Sequence, residues 1–118
     1  MNRFDALAEF EKEFKRLSKK YKTLDDDFEK FKKLLLVAPT GVGKNFVIIH
    51  STETINIVKA RMACRALRDR SLRIIYAYHV AASKVEFIEI YFKGEKENED
   101  RERIKEYLKN QNPARHPI

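Results

Sequence analysis

Apolar residues recur at three- and four-residue steps through Leu7, Phe10, Phe14, Leu17 and Tyr21, which places them on one stripe of a helix over about residues 6–21. A second stripe, Leu24, Phe28, Phe31 and Leu35, predicts another helix with Thr23 as its N-cap. Asp25, Asp26 and Asp27 in its first turn and Lys30, Lys32 and Lys33 further along suit the two ends of a helix macrodipole. Joined by a short link, the two helices should form an antiparallel hairpin with charged outer faces and an aromatic inner seam.

After Pro39 the period drops to two. Phe46 to His50 reads as a short strand and Ser51 to Thr54 as a turn. Ile55 to Cys64 is the informative strand: Val58, Ala60, Met62 and Cys64 share one side, while Lys59, Arg61 and Arg65 point to the other with Ala63 between them. Leu72 to Tyr78 and Val85 to Phe92 continue the pattern, linked through Ala81, Ala82 and Ser83. Ile104, Tyr107 and Leu108 mark a C-terminal helix, and residues 110–118 read as a flexible tail. The fold class is therefore α+β in a single domain, residues 1–118. A helical hairpin packs on a small antiparallel sheet of about four strands, and a helix closes the chain. Parity predicts that the hairpin covers Val58, Met62, Ile74, Ile88 and Ile90 and leaves Lys59, Arg61 and Arg73 on an open opposite face.

Charge sharpens this picture. Lys and Arg total 25 against 18 Asp and Glu, for a formal +7. Between Lys59 and Arg73 stand Lys59, Arg61, Arg65, Arg68, Arg70 and Arg73 against Asp69 alone, whereas both ends of the chain mix signs. A one-signed cluster on a strand and its following loop suits a polyanionic partner, either nucleic acid or an acidic protein segment. Cys64 is the only cysteine, so a disulfide scaffold and a cysteine metal site are excluded, and a reducing compartment is the natural setting. The longest apolar run, Leu34 to Pro39, is far short of a membrane span, and the N-terminus has no apolar signal core, so a soluble cytoplasmic protein is expected.

Leu34 to Asn45, LLLVAPTGVGKN, nearly matches a phosphate-binding loop. Asn45 lacks the hydroxyl that would bind magnesium after Lys44, and the β-branched segment that follows is a poor helix start. The segment is better read as a connector in which Gly41 and Gly43 permit positive φ. His50, His79 and His116 lie apart without ligand-like spacing, and no serine sits in an elbow motif, so neither a metal site nor nucleophilic serine chemistry is expected. Tyr76, Tyr78 and Tyr91 could stack on bases, but Tyr76 and Tyr78 share parity with Leu72 and Ile74 and read as core. The alternating acids and bases from Glu95 to Arg103 read as a solvated helix face.

The order of two helices and then a sheet carrying IVKARMACRALRDRSLRIIYAY (Ile57 to Tyr78) and FIEIYFKGEKENEDRERIKEYL (Phe87 to Leu108) resembles the RelE/ParE-like superfamily of bacterial toxin–antitoxin toxins. The likeness is strongest at Arg73 to Tyr76 and Tyr91 to Asn98. It implies a toxin that binds the ribosome and cuts mRNA, uses no metal or other cofactor, and is held inactive by a cognate antitoxin. Lys59 and Arg61 match the family's pair of basic strand residues and Arg73 the arginine opening the next strand, which makes these three the implied catalytic set. Arg65, Arg68, Arg70, Lys93 and Lys96 are the implied RNA contacts, the first three on a stretch longer than in compact members. Two departures stand out. Glu95 falls where the family's ribonucleases often carry a basic residue, and Asp100 and Arg101 fall where they often carry a tyrosine. A non-catalytic relative that binds gyrase or another protein, and a plain basic RNA-binding module, are the alternative readings.

Overall fold

The computed structural model of the chain describes residues 3–68 and 70–111. Its elements in chain order are β1 (Arg3–Ala6), α1 (Ala8–Lys20), α2 (Leu24–Val37), β2 (Phe46–Ser51), β3 (Ile55–Ala63), β4 (Ser71–His79), β5 (Lys84–Phe92) and α3 (Arg101–Asn110). The strands form one sheet in the order β1-β5-β4-β3-β2. β2 to β5 make the expected antiparallel meander, and β1 adds a fifth strand, parallel to β5. The helix predicted from residue 6 therefore starts later, because Ala6 is still paired with Phe87 and the Leu7 N–H donates to the Phe87 carbonyl at 3.0 Å. Asn110, the first residue of the predicted tail, is the last residue of α3, and residues 112–118 of that tail lie outside the described residues.

The hairpin stripe is buried as its period demands. Phe10, Leu17, Leu24, Phe31 and Leu35 pack on Val58, Ala60, Met62, Leu72, Ile74 and Tyr76. Phe14, Phe28 and Phe87 fill the seam, with ring centroids 4.9 Å apart for both Phe14–Phe28 and Phe28–Phe87. Ile88 departs from the expected parity. Ile75 pairs with Glu89 but Tyr76 pairs with Phe87, so Ile88 is an extra residue in a β-bulge and the faces of β5 exchange across it. Ile90 lies under the hairpin, whereas Ile88 faces the other way and packs with Ile104 and Tyr107 of α3. The second face is accordingly half covered rather than open: α3 lies over Ile55, Ile57, Ile75 and Ala77, leaving the other end of β3 and β4 uncovered.

Two polar fixtures hold this arrangement. Thr23 occupies the N-cap position of α2 but makes no cap hydrogen bond. Its hydroxyl donates to Asp27 Oδ2 at 2.8 Å and accepts from the Ala66 N–H at 2.9 Å, so it ties α2 to the β3–β4 loop. On the far side, β1 covers β5 only as far as Phe87. Beyond it, Glu13 of α1 accepts from the Ile90 N–H at 3.3 Å, and Arg103 of α3 donates to the Ile88 carbonyl at 2.8 Å. Arg103 and Glu13 close the clasp with bonds of 3.0 and 2.7 Å, covering an edge that would otherwise offer unpaired backbone groups.

Candidate functional site

Antiparallel pairing sets Arg61 of β3 directly opposite Arg73 of β4, with Lys59 two residues back on the same face. This is the half of the sheet that α3 leaves uncovered. The three side chains line a cleft of about 390 Å³, joined there by Lys44, Lys93 and Glu99. Arg61, Arg73 and Lys93 also line the adjoining depression that contains Arg70, so the positive surface runs continuously toward the β3–β4 loop. Arg70 places its guanidinium 5.8 Å from the centroid of the Phe92 ring.

The charges in this cleft are not equivalent. Lys59 Nζ lies 2.9 Å from Glu99 Oε1, and this hydrogen bond raises the lysine above its ordinary pKa. Burial is the largest single influence on Glu99, whose side chain is 10% exposed, and opposes its charge, but the Lys59 hydrogen bond, a backbone hydrogen bond and the charges of Lys59 and Arg101 together outweigh burial and hold the carboxyl below its usual range. Arg73 shifts the opposite way, lowered first by burial and then by Arg61 beside it, and it is oriented by bonds to Ser71 Oγ at 2.8 Å and the Ser71 carbonyl at 3.3 Å. Burial and the neighbouring Arg61 therefore depress Arg73, while Lys59 stays a full cation. Tyr91, opposite Arg73 on β5, sits beneath this group with a buried hydroxyl, and burial raises its pKa against the lowering influence of Lys59.

The implied RNA contacts divide. Arg70 and Lys93 face the cleft system. Arg65 does not: its Nε bonds Asp27 Oδ1 at 3.1 Å and its N–H bonds Asp27 Oδ2 at 3.0 Å, which makes it part of the loop anchor on the α2 side. Lys96 is also engaged, paired with the buried carboxylate of Glu89. Glu89 accepts as well from the Asp100 N–H at 2.8 Å, fixing the loop between β5 and α3. Arg68 is exposed on the β3–β4 loop at φ 60° and lines neither depression. Glu95 puts no negative charge in the cleft, because it pairs with Arg16 at 3.5 Å and Lys20 at 3.4 Å on α1.

Lys44 and Glu99 are the participants that sequence reasoning missed. Lys44 arrives because β2 pairs with β3 and the Asn45 carbonyl accepts from the Arg61 N–H at 2.9 Å. Gly41 and Gly43 both have positive φ, and a Cβ on Gly41 would fall 2.0 Å from the Phe46 ring, so the glycines serve the turn into β2. A strand, not a helix, follows Lys44.

No protein-family model matches the chain, and no curated protein matches it. Among solved structures, a chain of the archaeal RelE–RelB complex from Pyrococcus horikoshii superposes with a TM-score of 0.61 over 79% of this chain and 96% of that one, at 19% identity. The fold is RelE-like. In this fold the basic cleft lies on the sheet face away from the α1–α2 hairpin, beside the loop that leads into α3. At 19% identity the likeness establishes architecture, and the chemistry must be argued from the side chains.

Proposed function

We propose that this chain is a RelE-like toxin, a ribosome-associated repressor of translation that cleaves mRNA in the cytoplasm without a metal and is neutralised by an antitoxin protein. The observation that carries the reading is the convergence of Lys44, Lys59, Arg61, Arg73 and Lys93 on one cleft, with Glu97 and Glu99 as its acidic residues. Such a site binds a phosphodiester and stabilises the charge that builds on phosphorus during attack by a ribose 2′-hydroxyl. Lys59, Arg61 and Arg73 are the catalytic set, and Lys44, Arg70 and Lys93 hold the flanking phosphates.

An antitoxin partner finds support in the neighbouring RelE–RelB complex and in the outer edge of this sheet. β2 is an edge strand whose Val47 is 53% and Ile48 49% exposed, next to Val42 and the C-terminal end of α2. An apolar edge of this kind is suited to strand addition or to cover by another chain.

The test is primer extension on mRNA in a translating extract. Cuts inside the reading frame that disappear when translation is blocked support the proposal, and intact mRNA at saturating protein overturns it. A second reading, a non-catalytic relative, is favoured by the loop after β5, where Glu95 and Lys96 are both tied to other elements and Lys93 alone supplies a cation. That protein would bind RNA or gyrase without cutting, which a supercoiling assay and an RNA-binding titration resolve.

A further inference from the structure

Cleavage through a 2′-hydroxyl needs a group that removes its proton and a group that gives one to the leaving oxygen. The arginines of the cleft remain charged and accept no proton. Lys59 is held protonated by its neighbour, so it cannot begin as the base. Two carboxylates line the cleft, Glu97 and Glu99. Glu97 is exposed, whereas Glu99 is nearly buried and held 2.9 Å from Lys59, on a loop fixed by the Glu89–Lys96 pair and the Asp100 N–H.

Resting on the reading of the cleft as an RNA-cleaving site, the geometry points to Glu99 and Lys59 as a proton-transfer pair, with Glu99 the general base and Lys59 the general acid. In this step Glu99 takes the proton of the 2′-hydroxyl while the 2′-oxygen forms a bond to phosphorus. The bond from phosphorus to the 5′-oxygen breaks, and that oxygen leaves with the electron pair and takes a proton from the Lys59 ammonium. The products are a 2′,3′-cyclic phosphate and a free 5′-hydroxyl. Neutral Lys59 then recovers a proton from protonated Glu99 across the existing hydrogen bond, and both groups return to their starting states.

The pair has the right starting charges, because each holds the other ionised at neutral pH. It also switches in the right direction. Once Glu99 is protonated, the hydrogen bond that raises the Lys59 pKa loses its charged acceptor, and burial acts to lower it. The lysine becomes a better acid at the moment the leaving group needs one. Arg61 and Arg73 stay fixed as cations and are the groups that hold the phosphoryl oxygens.

The experiment uses the full chain with purified ribosomes programmed with a defined mRNA, under single-turnover conditions. Wild type, Glu99→Gln, Glu99→Asp and Lys59→Arg are compared for RNA binding, cleavage rate across about pH 5–9, and end chemistry of the products. Glu99→Gln should bind RNA as tightly as wild type or more tightly, since a negative charge leaves the cleft. Its cleavage rate should fall at least about 100-fold, and the acid limb of its pH profile should vanish. Glu99→Asp keeps a carboxylate and should restore part of the rate together with that acid limb, which a purely structural role for Glu99 would not do. Lys59→Arg keeps the charge but not the titratable acid, so binding should persist while cleavage falls about 100-fold. Wild-type cutting with an unaltered Glu99→Gln rate would overturn the pair and leave the proposed function standing. A wild type that binds RNA and never cuts would overturn both, and that result is read before any variant is compared.

Discussion

Asp27 gives the clearest energetic test of how this fold presents its cleft. Its carboxylate is 6% exposed, yet it accepts from the Thr23 hydroxyl at 2.8 Å, the Arg65 N–H at 3.0 Å and Arg65 Nε at 3.1 Å. Burial disfavours its charge, but these donors outweigh burial and hold the carboxyl below its ordinary value. Asp27→Ala strands the Thr23 hydroxyl and the Arg65 N–H. Hydrogen bonds to charged groups contribute about 1.5–3 kcal/mol each and do not add fully. The Arg65 side chain is 57% exposed and regains water, so its share is discounted and a net loss of about 3 kcal/mol is expected. For a domain of this size that corresponds to a fall of roughly 12 °C in melting temperature. The sign of the pH dependence follows from the direction of the shift. A depressed folded-state pKa gives stability that is fully present above the unfolded value of about 3.9 and is lost as pH falls through the folded one. Glu99 is shifted the same way and adds to the acid sensitivity of the wild type, so the difference between wild type and Asp27→Ala isolates Asp27. Urea melts at stepwise lower pH should show that difference wide at neutral pH and narrowing below about pH 4. A gap under 1 kcal/mol at neutral pH, or one that stays constant into acid, would refute the argument.

Three further outcomes are expected. Replacing Arg61 and Arg73 together by Gln should weaken RNA binding, reduce its salt slope by about one per lost phosphate contact and leave the melting temperature unchanged or higher, as filter binding and calorimetry can show. Arg103→Ala leaves Glu13 and the Ile88 carbonyl without their shared donor, so it should cost about 1.5–3 kcal/mol in chemical denaturation and promote self-association at the bared β5 edge, visible by light scattering. Titration calorimetry with magnesium–ATP should give no saturable micromolar binding, because Lys44 opens onto a strand and Asn45 offers no metal-binding hydroxyl.

What could be read from the sequence was what repeats. The stripes of α1 and α2 and the alternation of β3 and β4 each place several residues on one face, and those faces are the ones observed. β1 escaped because it has only four residues, with Arg3 and Asp5 alternating against Phe4 and Ala6, too short a run for a period to emerge. The bulge in β5 did leave a trace: apolar positions step from Val85 and Phe87 to Ile88 and Ile90, a change of parity that simple alternation overlooks. Lys59, Arg61 and Arg73 were found together because strand pairing is periodic and local. Glu99 was hidden because its partner lies 40 residues away, and nothing in a run of alternating charges distinguishes the one acid that folds back over the sheet. Arg65 and Lys96 looked like their basic neighbours for the same reason, since only tertiary pairing with Asp27 and Glu89 removes them from the cleft.

The same contrast divides the charged residues by what they do for the fold. Arg65, Lys96 and Arg103 each face a carboxylate, and in every case that carboxylate also receives a backbone N–H, so the pair joins two segments of chain. Arg61 and Arg73 have no carboxylate partner among the described residues and stand opposite each other across the β3–β4 ladder. Like charges in direct cross-strand register are destabilising, by roughly the few tenths to 1 kcal/mol that favourable pairs contribute. A fold selected for stability alone would place opposite charges or apolar residues there. On the proposed reading, a phosphodiester between the two guanidiniums would relieve the repulsion, and the free protein would retain a small instability that ligand binding removes. This is why removing those two charges should leave the melting temperature unchanged or higher while affinity falls, and why loss of Asp27 or Arg103 should do the reverse. On that reading, scaffold cations stabilise the empty protein and the proposed site cations stabilise the loaded one.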